Sequence, residues 1–195
     1  MNNRMTLEEH NQRKASTYKM MLWFAMVSIF MIFAGFLSAY IVSNNRPDWL
    51  KDFSLPNAFL ISTLVLILSS LSIQFALKNI KINNHKGTTL FLWLTLLMGI
   101  AFICFQFLGF KQVIESGYFF TGAQSNITTS FLYIVVIVHI AHLIGGIISL
   151  LIVIYNHYKQ KYNSAQTLGI ELCATYWHFM DIVWIILFLF FYFFK

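Results

Sequence analysis

The chain has 195 residues, of which 58% are hydrophobic and 10% charged, with a formal net charge of +6. A water-soluble domain carries roughly a quarter charged residues, so this composition excludes the soluble globular class and leaves an integral membrane protein. The thirteen basic residues are scattered over short segments, which makes the positive balance a topology signal and argues against a nucleic-acid partner.

A hydrocarbon core about 30 Å thick needs roughly 20 apolar residues in helical form. Five runs meet that requirement, at about 20–43, 57–77, 88–110, 130–155 and 171–194. The expected fold is therefore all-α, a polytopic bundle of five transmembrane helices in one domain over 20–195, behind a cytoplasmic tail at 1–19. Barrel strands are excluded because the runs are too long and lack apolar/polar alternation.

In chain order, Thr6 and Glu9 stand in capping-box spacing, which predicts a short helix ahead of the first span. The first apolar run is too long for a cleaved leader and follows a polar tail, so it is expected to remain. Its Ala34/Ser38 and Gly35/Ala39 pairs would let a neighbouring backbone come close. Pro56 suits the first turn of the second helix, and "SSLSIQ" gives that helix a polar stripe suited to helix packing. The third helix carries Gly99 and Gln106. The loop "KQVIESGYFFTGAQSNITTS" is the longest connection, with aromatics suited to the interface. Its Asn126-Ile-Thr128 fits the glycosylation pattern, a short and frequent match. The fourth helix holds "HIAHLIGGIISL", with Ala141, Gly145 and Ser149 as a small-residue ridge.

With the N-terminus inside, the inner side holds Arg4, Arg13, Lys14, Lys19, Lys78, Lys81, Lys86, Lys159 and Lys161. The outer side holds only Arg46, Lys51, Lys111 and Lys195. This asymmetry predicts an N-in, C-out arrangement. Cys104 and Cys173 differ in depth by roughly 20 Å on a 1.5 Å rise, beyond disulfide reach, and are read as packing residues.

Ionisable groups within spans face protein or water, not lipid. The informative ones are His139, His142, Glu171, His178 and Asp181. At 100° per residue, Glu171 and His178 lie about 20° apart and Asp181 about 60° further on, all on one side of the last helix. His139 and His142 share a face of the fourth helix, and at about 15–20 Å of depth the two faces could meet. Three readings stay open on the residues alone. These groups could hydrogen-bond one another and fix the packing. His139 and His142, with His178, could hold a metal or a haem b in an independent membrane protein. A proton or ion path is the third, and one buried carboxylate with one interfacial carboxylate and three histidines is too sparse for a complete relay. No nucleophile–base pair, phosphate loop or dinucleotide fingerprint points to an independent enzyme.

The stretch Glu171-Leu-Cys-Ala-Thr-Tyr176-Trp177-His178-Phe179-Met-Asp181-Ile-Val183-Trp184 resembles the C-terminal signature of subunit III of the haem–copper oxidases. Other stretches resemble the same family in order: Ser28-Ile29 through Phe33-Ala34-Gly35-Phe36, Leu55-Pro56, Thr95 through Gly99 with Phe102 and Gln106, and His139-Ile-Ala-His142-Leu-Ile-Gly145. The likeness covers nearly the whole chain after the tail, and five spans correspond to the short bacterial form.

The resemblance implies a non-catalytic subunit of a terminal oxidase in a bacterial inner membrane. Its partners would be subunit I, subunit II, other oxidase subunits and a respiratory supercomplex. It implies no redox cofactor in this chain, haem and copper being held by partner subunits, together with a structural phospholipid and support of proton uptake. Glu171, Tyr176, Trp177, His178, Asp181, Trp184, His139, His142 and Gln106 would be subunit-packing and polar-network residues. Two departures stand out. Ile29 occupies a position where many members carry an acidic residue, and Gly109-Phe110 stands where many have Glu-Tyr. A structural and lipid-holding role is therefore expected over direct proton handling. Whether the whole enzyme oxidises cytochrome c or quinol is not readable from this chain.

Overall fold

A computed structural model describes residues 7–46, 49, 55–120, 122, 126–164 and 166–194. Five helices are long and apolar enough to cross a membrane, and among the described residues there is no strand beyond an isolated bridge between Asn163 and Gln166. They are α1 (Leu7–Val42), α2 (Asn57–Lys81), α3 (His85–Glu115), α4 (Ile127–Tyr158) and α5 (Leu168–Phe193).

The helix expected ahead of the first span is continuous with it. No Pro or Gly interrupts residues 7–34, so nothing breaks the i→i−4 ladder where the polar tail gives way to apolar sequence. At 1.5 Å per residue α1 is about 54 Å long, longer than a hydrocarbon core of about 30 Å is thick. Thr6 of the capping box lies outside the described residues.

The short turns follow local chemistry. Pro56 precedes α2 with φ −58° and ψ 146°, outside the helix that its ring would interrupt. The α2–α3 connection is three residues. Asn83 takes φ 56° there, a left-handed geometry that asparagine tolerates, and Asn84 caps α3 by accepting from the Gly87 N–H at 3.1 Å. Lys78 and Lys81 sit in the last turn of α2 and Glu171 in the first turn of α5, each sign matching the helix dipole.

The close α2–α3 hairpin and α4 surround α5, which touches α1, α2 and α4. The last helix buries Ile170, Cys173, Ala174, Trp177, Met180, Asp181, Val183, Trp184, Leu187 and Phe191, a spacing that turns one broad face inward. α1 is peripheral. Its apolar window is 17% buried, against 44% for α5, and along its length Met26, Ile29, Phe33 and Tyr40 turn inward. Tyr40 clamps the C-terminal end of α1, with its ring against Trp49, Phe131, Phe190 and Phe191 at centroid distances of 4.5–5.8 Å. Gly35, Ser38 and Ala39 lie exposed, and a Cβ on Gly35 would meet nothing within 4 Å. Among the described residues no neighbouring backbone uses the close approach that Gly35 offers.

Candidate functional site

The polar residues of α5 face a hydroxyl-bearing stripe on α2. Trp177 Nε1 donates to Ser69 Oγ at 3.1 Å, and Trp184 Nε1 donates to Thr63 Oγ1 at 3.0 Å. On α3, Gln106 Nε2 donates to Ser62 Oγ at 2.9 Å. All six side chains are buried. Ser62 and Thr63 pass their own protons to the Phe59 carbonyl, and Ser72 donates to the Phe91 carbonyl of α3 at 3.0 Å. The "SSLSIQ" stripe is thus a helix fastener. Each such side-chain bond within a membrane contributes about 0.6 kcal/mol on average, and the two indoles add their packing.

Small residues opposite the aromatics make this possible. A Cβ at Gly99 would stand 3.0 Å from the Trp177 ring, and one at Gly146 would stand 3.1 Å from the Tyr176 ring. Tyr176 Oη donates to the His142 carbonyl at 2.9 Å, tying α5 to α4.

The ionisable residues separate into different neighbourhoods. His178 Nδ1 meets Ser70 Oγ at 2.5 Å, and its Nε2 faces Gln74 Oε1 at 3.4 Å, both on α2. Glu171 lies at the end of the seam, accepting from Thr167 Oγ1 at 2.8 Å and pairing with Lys81 Nζ at 3.6 Å. Asp181 is 3% exposed, yet neither carboxyl oxygen has a hydrogen-bond partner. Ser70 lies beside it, and the same hydroxyl meets His178 Nδ1.

The ionisable side chains of α4 and α5 do not hydrogen-bond one another among the described residues. His139 is fully buried and enclosed by the rings of Phe33, Phe102 and Trp184 at 6.1, 5.9 and 5.0 Å, with no partner on either nitrogen. His142 uses Nδ1 on the Val138 carbonyl of its own helix at 2.8 Å and lies against Phe33. No group of three His, Cys, Asp or Glu suited to a metal occurs among the described residues.

Sequence reasoning missed two features. His157 of α4 stacks on His85 of α3 at 5.6 Å and meets Thr89 Oγ1 at 3.0 Å. Asn83 and Ser164 join the two loops at that end through paired hydrogen bonds. No spacing signal connects residues seventy or eighty positions apart.

Comparison with known proteins agrees with this arrangement. The family model described as cytochrome c oxidase subunit III matches residues 3–195. A cytochrome c oxidase subunit 3 from Corynebacterium diphtheriae is 30% identical over 170 residues, 84% of this chain and 81% of that protein. A cytochrome c oxidase subunit 3 from Thermostichus vulcanus is 29% identical, over 84% of this chain and 80% of its own. A cytochrome bo(3) ubiquinol oxidase subunit 3 from Buchnera aphidicola is 30% identical, over 88% of this chain and 83% of its own.

Proposed function

The chain belongs to the cytochrome c oxidase subunit III family and is a multi-pass membrane subunit of a haem–copper terminal oxidase, and from that premise we propose that it is the non-catalytic subunit that stabilises subunit I, holds phospholipid and supports proton uptake indirectly. In this reading it sits N-in, C-out in a bacterial inner membrane beside subunits I and II and other oxidase subunits, within a respiratory supercomplex. Haem and copper remain with the partners. The donor, cytochrome c or quinol, is set by those partners, and relatives of both kinds resemble this chain about equally.

One observation carries the proposal: the buried indoles of α5 and the buried amide of α3 fasten those helices to α2. Trp177, Trp184 and Gln106 each reach a hydroxyl of α2. A scaffold uses buried polarity in this way. Support of proton uptake is placed on the scaffold because the two departures leave no carboxylate at their positions. Ile29 is buried, and at Gly109 even a Cβ would stand 2.8 Å from the Phe59 ring, so a longer acidic side chain has no room there.

Affinity purification through a tag on this chain tests the reading. Recovery of a haem-bearing oxidase, with no haem spectrum from this polypeptide after dissociation, is the expected result. A pigmented lone chain, or a purification without oxidase subunits, would refute it.

A further inference from the structure

His85 opens α3 and His157 lies in the last turn of α4, both outside the apolar runs at 88–110 and 130–155. Their imidazoles stack with centroids 5.6 Å apart and planes inclined by 26°. His157 is 2% exposed, while His85 is half-buried, so solvent reaches the pair through His85.

Hydrogen bonds fix which nitrogen of His157 carries the hydrogen. Thr89 Oγ1 donates its only proton to the His85 carbonyl at 2.9 Å, so it can only accept from His157 Nε2 at 3.0 Å. The other group near Nε2, the His85 carbonyl at 3.3 Å, is also an acceptor. Nε2 is therefore the donor, and in the neutral ring Nδ1 is a bare lone pair. That Nδ1 is buried without a partner, and so is Nδ1 of His85. Two such atoms left unpaired cost free energy that packing does not return.

This is the arrangement of a metal-binding histidine, whose far N–H is held by a second group while the near nitrogen stays basic. Two Zn–N bonds of about 2.0–2.1 Å together span about 4 Å, within the reach of Nδ1 atoms on rings 5.6 Å apart. The two helices are held in place around the pair. Trp93 Nε1 of α3 donates to Tyr158 Oη of α4 at 3.0 Å, and Asn83 and Ser164 join the adjoining loops. The C-terminal pole of α4 favours a cation and offsets the opposite pole at the start of α3.

We infer that His85 and His157 form a site for one divalent transition-metal ion of the zinc class, held by the two Nδ1 atoms and completed by solvent. Imidazole selects such ions over magnesium and calcium, which take oxygen ligands. Two protein ligands are one fewer than a catalytic zinc uses, so the ion exchanges with solution and clasps α3 to α4. The site stands apart from the α2–α5 seam and goes beyond the scaffold role proposed above.

The test is equilibrium dialysis of the intact oxidase, purified through this chain and rinsed with chelator, against radioactive zinc chloride in excess magnesium. Wild type should bind one more zinc ion than His85→Gln or His157→Gln, each of which leaves a single imidazole. Thr89→Val, which takes the hydroxyl from Nε2, should weaken that ion about tenfold. Lys86→Ala, beside His85 but not a ligand, should not weaken it. Zinc should also raise the unfolding midpoint of this chain in wild type and in neither glutamine variant. If His157→Gln does not assemble, His85→Gln, at the half-buried position, makes the same comparison. Equal zinc stoichiometry in wild type and either assembled glutamine variant would overturn the inference, because the ion must be shared by both rings.

Discussion

Replacing Asp181 with Val should stabilise this chain, contrary to the usual effect of removing a buried charged residue. The carboxyl is 3% exposed, neither oxygen has a hydrogen-bond partner at full geometry, and nearby Ser70 also meets His178. A buried polar group without a partner costs about 1–3 kcal/mol. Val has one heavy atom fewer than Asp, so it relieves that cost without overpacking. For a chain of this size each kcal/mol moves the unfolding midpoint by about 2–4 °C, so the expected rise is roughly 2–12 °C. Cys173, 3% exposed, supplies the probe: in a Cys104→Ala background, a fluorogenic maleimide reports unfolding as this thiol becomes accessible. Asp181→Asn keeps the buried polarity and should move the midpoint little. A fall of several degrees in Asp181→Val with Asn near wild type would show that the carboxyl has a bonded partner, and the reasoning would fail.

Other perturbations test the seam. Gly109→Ala places a Cβ 2.8 Å from the ring of Phe59, which is fully buried and stacked on Trp184. A loss of about 1–3 kcal/mol is expected, read as a lower midpoint in the same melt. A double-mutant cycle between Trp177→Phe and Ser69→Ala should give a coupling near 0.6 kcal/mol, and zero coupling would mean that the 3.1 Å indole bond contributes nothing. Glu171→Gln should cost no more than about 1 kcal/mol, because its pair with Lys81 is 3.6 Å long between side chains 30% and 53% exposed. In the folded chain a lipid-soluble maleimide should label exposed Cys104 and spare buried Cys173, as mass spectrometry of the peptides would show.

The number and type of elements were legible from the residues because the solvent imposes them. Hydrocarbon about 30 Å thick demands long helices with internally satisfied backbone, and five apolar runs met that demand. The signature from Glu171 to Trp184 pointed to the family for a different reason: an unusual order of aromatic and polar residues is readable without coordinates. Helical angles placed Glu171, His178 and Asp181 on one side of α5, yet they could not say what lay opposite. Ser70 and Gln74 lay opposite His178, Lys81 opposite Glu171, and Asp181 was buried beside Ser70.

His139 and His142 show the same limit, since one is shut among aromatic rings and the other turns to its own helix carbonyl. Residue spacing determines orientation about a helix's own axis. Which helix lies opposite, and how near, depends on the fit of side chains across separate elements, such as Gly99 beneath Trp177 or Tyr40 among its aromatic neighbours. Those fits are non-local, and they alone decided the fastened seam along α5.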